Sequence, residues 1–460
     1  MPEPLHHPAS YRDPSGFVFQ ADGIYYRQVN RSYAADYEKL MTSGLYTTLV
    51  KNKWLLEHHE IPENLTASPD WYKTLRPTQL KLITYPYEWC FGQLQDAALH
   101  TLTILDQAVQ QGMILKDASP YNIQFLQGKP VFIDTLSFEG YDATLPWVAY
   151  RQFCECFLFP LYLAHYCGID TGKILTAYPD GIPAGVTARL LPRKSRFNAG
   201  ALMHVHLQNI VKPANRTSKP PAFSRQKLMH LTRHLERILK KLKPRPSPHS
   251  AWSNYYEDTI LSRQYLDEKQ RLFSDLIHGL HFLTAIDIGA NDGFFSRIAA
   301  SKNPEAFFTA IDADAACIDR LYNTIRGKNI PNILPLCIDV LHPSPAIGFQ
   351  NKERASFDER FHAELVIALA FVHHLVLGAN IPLCDIPQYL AALSTGWLII
   401  EFVPLEDEKA QELIRNKHRW HQPYDTSSFE RYFEEYFSIE KKSKVPGTER
   451  ILYLMKKRHS

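Results

Sequence analysis

The sequence predicts an α/β protein in two parts: a C-terminal half built on a doubly wound, largely parallel sheet, and an N-terminal half of α+β character. Three observations predict it. From Phe282 onward, short apolar runs alternate with stretches of helical period, the pattern of strands buried on both faces. Those runs end in glycine or acidic residues, at the strand ends where such sheets bind ligands. A polar, proline-bearing stretch over 211–250 sets this half apart from residues 1–210. With 460 residues, the chain is longer than one core usually organises.

The first predicted strand, within FLTAIDIG, runs into Asp287-Ile288-Gly289-Ala290-Asn291-Asp292-Gly293. A dinucleotide fingerprint needs G-x-G-x-x-G, and from Gly289 the later positions are Asn291 and Phe294, so it fails. The turn instead reads acidic-x-Gly-x-x-x-Gly, with Asp287, Gly289 and Gly293. An acidic residue there suits an ammonium, whereas a pyrophosphate would be repelled. The second strand, Phe307 to Ile311, delivers Asp312, 19 residues beyond Gly293 and able to accept both hydroxyl protons of a ribose. The third, ILPLCI, delivers Asp339, where a carboxylate can accept from the exocyclic amine of adenine. The fourth, within ELVIALAFVHHL, is followed by His373-His374. The fifth, WLIIEFVP, contains Glu401. The tail FSIEKKSKVPGTERILYLMKK supplies two final strands around a turn.

The segments DIGANDGFFS, AIDAD, CIDV and ALAFVHHL resemble the successive motifs of class I S-adenosylmethionine-dependent methyltransferases, over roughly 200 residues. The resemblance implies a Rossmann-like, seven-stranded sheet with its last strand antiparallel, and S-adenosylmethionine as cofactor. It puts Asp287, Gly289, Asn291, Gly293, Asp312 and Asp339 in the cofactor site. Asn291 stands where the family commonly has glycine, and asparagine tolerates left-handed backbone. In the family the region after the fourth strand borders the methyl-transfer centre. His373 is therefore the first candidate for a catalytic base, with His374 beside it and Glu401 as a second carboxylate candidate. Before the sheet, Trp252, Tyr255, Tyr256 and Tyr265 lead a helix that either packs in the core or closes over the cofactor.

In the N-terminal half, Gly112 to Phe138 contains Asp117-x-x-x-x-Asn122, then a hairpin-like stretch, then Asp134. A good helix, LQDAALHTLTILDQAVQQG, precedes it, and GFVFQADGIYYRQV reads as an earlier β-hairpin. This order resembles the catalytic loop and metal-binding aspartate of kinase-like phosphotransferases. The resemblance implies Mg-ATP at Asp117, Asn122 and Asp134. The chain departs from that pattern in having no glycine-rich loop, Lys116 before the aspartate and Thr135-Leu136 after Asp134. Lys39 and Arg27 are the candidates for a nucleotide-binding cation. The arrangement as a whole, including Tyr85–Trp89 (YPYEW), LKDASPYN and IEFVPLED, is similar to bacterial nodulation-type methyltransferases. That implies a small-molecule or glycan acceptor.

Composition narrows the alternatives. A net charge of +3 gives no bulk electrostatic case for nucleic acid. Between 211 and 250, Leu228, Leu231, Leu235, Ile238 and Leu242 form a helical stripe flanked by basic residues. That helix either packs on its neighbour or lies on an anionic surface, which keeps an RNA acceptor among the alternatives. A kinase-like phosphotransferase and a non-catalytic scaffold are the others. No apolar run approaches the roughly 20 residues of a membrane span. Phe153 to Tyr166, broken by Glu155 and Pro160, reads as core. The seven cysteines are odd in number and irregularly spaced, which points to a reducing cytoplasm and away from a disulfide framework or zinc site. Oligomeric state is left open.

Overall fold

The computed structural model describes residues 5–210, 223–245, 263–415 and 423–458. Trp252, Tyr255 and Tyr256 lie outside the described residues. The chain divides into two units: 1–247 with 346–355, and 248–345 with 356–460.

The first unit begins with strands β1 (Leu5–His6), β2 (Gly16–Ala21), β3 (Ile24–Asn30), β4 (His58–Ile61) and β5 (Trp71–Pro77). They form an antiparallel sheet in the order β1-β2-β3-β5-β4. The β2–β3 hairpin turns on Asp22-Gly23, both with positive φ, as a two-residue turn of matching twist requires. Helices Ala34–Thr42 and Leu45–Lys51 fall between β3 and β4. The helix Phe91–Gln110 buries Leu94, Ala98, Leu102, Leu105 and Val109, and Gly112, with φ +72°, ends its run.

Four short strands follow: β6 (Met113–Leu115), β7 (Ile123–Leu126), β8 (Lys129–Phe132) and β9 (Phe138–Gly140). β6 pairs with β9 and β7 with β8, so the segments 116–122 and 133–137 are held by two small ladders. Phe153, Phe157, Phe159 and Leu161 are fully buried, as the apolar run at 153–166 predicts. No described helix is long and apolar enough to cross a membrane. The basic helix Arg225–Lys241 buries Leu228, Leu235 and Leu239, and Gln95 of the Phe91–Gln110 helix donates to the carbonyls of Leu239 and Leu242. Its apolar stripe is covered by protein, not left for a membrane.

The second unit holds β10 (Thr284–Ile288), β11 (Phe307–Asp312), β12 (Ile333–Cys337), β13 (Ala363–Ala368), β14 (Ser394–Phe402), β15 (Phe437–Lys444) and β16 (Ile451–Lys457). They make one seven-stranded sheet, ordered β12-β11-β10-β13-β14-β16-β15. The first five of these run parallel, and β16 runs antiparallel to both β14 and β15. Helices Phe294–Lys302, Ala315–Lys328 and Asp385–Leu393 connect the parallel strands. Ile286, Ile288, Phe308, Leu365, Val366, Ile367, Leu398 and Ile399 are fully buried. Each such side chain contributes about 1.5–3 kcal/mol of burial, which explains why these strands read as unbroken apolar runs. The chain winds from β10 towards β12, then returns to β13 on the other side. This reversal opens a crevice at the carboxyl ends of β10 and β13.

Candidate functional site

That crevice is a cavity of about 330 Å³, walled by Asp287, Gly289, Asn291, Asp312, Asp339, Phe371, His374 and Lys269, among others. Its floor is the turn after β10. Gly289, Asn291 and Gly293 adopt φ of +72°, +53° and +73°. At Gly293 the left-handed backbone coincides with tight packing, because a Cβ there would meet Leu321 Cδ1 at 2.4 Å. Asn291 takes the same backbone region with a side chain, and its Oδ1 accepts from the Asp292 amide at 2.7 Å.

The three carboxylates sit in different surroundings. Asp287 is 3% exposed and accepts from the Ser296 hydroxyl. Burial, reinforced by the nearby Asp312 charge, pushes its carboxyl up to about 7, against the pull of Ser296 and Lys269. Asp312, at the end of β11, accepts from the amides of Asn291 and Asp314, each at 2.8 Å. Burial raises its pKa too, while those two amides hold it down. The Asp312 carboxylate thus pins the turn after β10 to the end of β11. Asp339 accepts from the Leu341 amide at 3.0 Å and lies 3.3 Å from His342 Nδ1.

The adjacent histidines part company. His374 walls the cavity, and burial lowers its pKa to about 4, so its imidazole is neutral at ordinary pH. His373, the first candidate from the sequence, is wholly buried and is not part of the cavity wall. Neither of its ring nitrogens has a hydrogen-bond partner among the described residues. Glu401 is also fully buried, away from the wall. It accepts from Lys269 Nζ at 2.5 Å and from the Tyr265 hydroxyl at 3.1 Å, and Arg450 lies 3.9 Å away. Arg450 continues the network to Asp407 at 2.7 Å. Tyr265 therefore belongs to a polar core beneath the cavity.

Sequence reasoning passed over Lys269, on the helix Arg263–Ile277. A signal existed: Lys269 stands four residues after Tyr265 and four before Phe273, inside the helix's buried stripe.

In the first unit, Asp117, Asn122 and Asp134 come together as a hydrogen-bonded group. Asp117 Oδ1 accepts from the Ser119 amide at 2.8 Å, and Asn122 Nδ2 donates to Ser137 Oγ at 3.1 Å. Asp134 accepts from the Leu136 amide and the Ser137 hydroxyl, and it forms an ion pair with Arg27 of β3. The charge that faces the Asp134 carboxylate, the position expected to hold magnesium, is the Arg27 guanidinium. Among the described residues, no group of three or more His, Cys, Asp or Glu side chains is arranged to hold a metal ion. Lys39 makes no contact with Asp134; its Nζ lies about 4.0 Å from where a Gly112 Cβ would sit. None of the seven cysteines, all among the described residues, is joined in a disulfide.

No protein-family model matches the chain. Its two-part arrangement resembles nodulation proteins along nearly its whole length. It is 28% identical over 463 residues to nodulation protein NoeA of Rhizobium meliloti (strain 1021), spanning 98% of this chain and 96% of that one. Among solved structures, it aligns with the bifunctional kinase-methyltransferase WbdD at 17% identity and a TM-score of 0.28, covering 42% of this chain and 37% of that chain. It also aligns with the N-terminal domain of EvdMO1 with SAH bound, at 13% identity and a TM-score of 0.29, covering 44% and 83%. The chain thus spans little more than a third of the WbdD chain that it matches.

Proposed function

We propose that the second unit is an S-adenosylmethionine-dependent methyltransferase acting on a small-molecule or glycan acceptor. The observation that carries this reading is the meeting of Asp287, Asp312 and Asp339, from three successive strand ends, on one cavity floored by a left-handed turn. The residues suit the cofactor's parts in order. Asp287, in its ionised form, would take the ammonium of the methionine end. Asp312 would accept from the ribose hydroxyls, and Asp339 from the adenine amine. Gly289, in the cavity wall with no side chain, leaves its backbone open to the ligand, and Gly293 packs the turn against Leu321. When bound, the cofactor supplies a methyl group on a positively charged sulfur, which an acceptor nucleophile takes by in-line displacement.

His374 is assigned to the acceptor side. Its neutral imidazole can hold an acceptor hydroxyl or amine in line, but a base with a pKa near 4 removes a proton poorly. Its part is therefore alignment, and the proton that the acceptor loses as its bond to the methyl carbon forms and the sulfur–methyl bond breaks passes to solvent water. Glu401, locked between Lys269 and Tyr265, is assigned a structural role. The first unit is read as kinase-like in fold, on its strand order β1-β2-β3-β5-β4 and the loop between β6 and β7. With Arg27 against Asp134, it is assigned acceptor selection and not phosphoryl transfer.

The test is transfer of tritium from methyl-labelled S-adenosylmethionine to fractionated polar metabolites and oligosaccharides of a nodulating bacterium. Label should enter at least one fraction with the wild-type chain and none with Asp312→Ala. His374→Ala should lower the rate by roughly 100-fold, the cost of a misaligned acceptor. Binding of cofactor without transfer to any fraction would favour a scaffold over an enzyme.

A further inference from the structure

The first unit exposes an apolar face beside its basic helix. Phe197 is 94% exposed, and Leu190, Leu202, Met203 and Leu207 are exposed with it. They come from the helix Ala184–Leu190, the 3-10 turn Arg193–Phe197 and the helical run 202–210, and the first two pack on the third. In that run His204, Val205 and His206 are buried, which leaves Leu202, Met203 and Leu207 on the outward side. Exposed apolar side chains are ordinary when scattered singly; five from adjoining helices form a patch, and such patches mark interaction surfaces. Charge surrounds this one. Among the described residues of 181–245, twelve are Lys or Arg and one, Glu236, is acidic, although the whole chain carries only +3. Glu236 is itself paired with Lys240 at 2.5 Å. Arg189, Arg193, Lys194 and Arg196 are exposed on the patch's own segments, and Arg233, Arg237, Lys240 and Lys241 on the helix Arg225–Lys241. That helix lies alongside the patch. The His234 ring is centred 5.2 Å from the His204 ring, and a Cβ on Gly200 would meet Ile238 Cδ1 at 2.7 Å. Its buried Leu228, Leu235 and Leu239 anchor it to the unit, so its cations face outward.

We propose that this region is a docking surface for a bilayer bearing anionic phospholipids. Phe197, Leu202, Met203 and Leu207 enter the boundary between headgroups and acyl chains, and the flanking lysines and arginines meet the lipid phosphates. Charge complementarity selects this occupant. A second copy of the chain seated on the same patch would bring one set of cations against another. An RNA would satisfy the cations, but Leu190, Leu202, Met203 and Leu207 have no ring on which a base could stack. An anionic bilayer satisfies both the charge and the aliphatic side chains. The helix Ala184–Leu190 has seven residues, far short of the roughly 20 that span a bilayer, so the surface lies on the membrane and does not cross it.

The experiment floats the full chain with vesicles of phosphatidylcholine containing phosphatidylglycerol, and with vesicles of phosphatidylcholine alone. Wild type should float with the first and not with the second, and its binding should weaken as salt is raised. Phe197→Ser/Met203→Ser, at two exposed positions, should keep the wild-type melting temperature and weaken binding to the anionic vesicles by about tenfold for each side chain lost. Arg193→Gln/Arg196→Gln should weaken it by about fivefold for each charge lost. Wild type that stays unbound in the presence of anionic vesicles would overturn the proposal, as would flotation of both double variants to the wild-type extent. Tighter binding of single-stranded RNA than of anionic vesicles would assign the surface to nucleic acid instead. A wild-type dimer in sedimentation equilibrium that Phe197→Ser/Met203→Ser abolishes would assign it to a second copy of the chain.

Discussion

Asp287 joins burial to function through its ionisation. Its folded pKa is raised to about 7, against an ordinary aspartate near 4. The sign follows from proton binding. Between those two values the folded chain holds a proton that the unfolded chain has lost. The favourable contribution is complete below about pH 4 and is lost as pH rises through about 7. The ionised form is also the one that would bind an ammonium. The affinity for S-adenosylhomocysteine should therefore rise about tenfold from pH 6 to pH 8. Asp287→Asn should flatten that profile, weaken binding at pH 8, and make the ligand-free protein more resistant to urea at pH 8 than at pH 5, relative to wild type. Calorimetry and urea titrations at the two pH values check both signs. The histidine pair shows the limit of reading residues singly: adjacent side chains on a helical turn diverge, and only packing tells that His374 meets the cavity and His373 meets the core.

At the scale of elements, the turn after β10 is fixed by backbone conformation and by one close contact. Gly293→Ala places a Cβ against Leu321 in a left-handed conformation. It should cost about 1–3 kcal/mol of stability and weaken cofactor binding. Asn291→Gly, which keeps the backbone accessible, should leave binding nearly unchanged, and urea unfolding with calorimetry reads both. The strands were legible because burial on both faces leaves unbroken apolar runs, and their carboxylates because strand ends are sequence-local. The helix Arg263–Ile277 was legible as a helix, but Lys269 was not legible as a cavity residue. A lysine in a stripe ordinarily reaches past it to solvent. Its burial depends on Glu401, 132 residues away. The Arg27–Asp134 pair was hidden for the same reason, since its partners lie 107 residues apart.

For the whole molecule, the sequence showed two parts of different character, set apart by the polar, proline-bearing stretch over 211–250. It gave no sign that residues 346–355, inside the span of the second sheet, belong with the first unit. There Glu353, 4% exposed, pairs with Arg12, and the Arg354 guanidinium lies 3.9 Å from the centre of the Tyr121 ring. Apolar periodicity does not encode such pairings, which depend on two charges meeting after the backbone has folded. The same holds for function: three carboxylates distant in sequence become one site through the winding of the sheet. The most direct measurement is calorimetric titration of the full chain with S-adenosylhomocysteine. One site per chain is expected, lost in Asp312→Ala and kept in Arg27→Ala. Absence of binding to the wild-type chain, or its survival in Asp312→Ala, would contradict it.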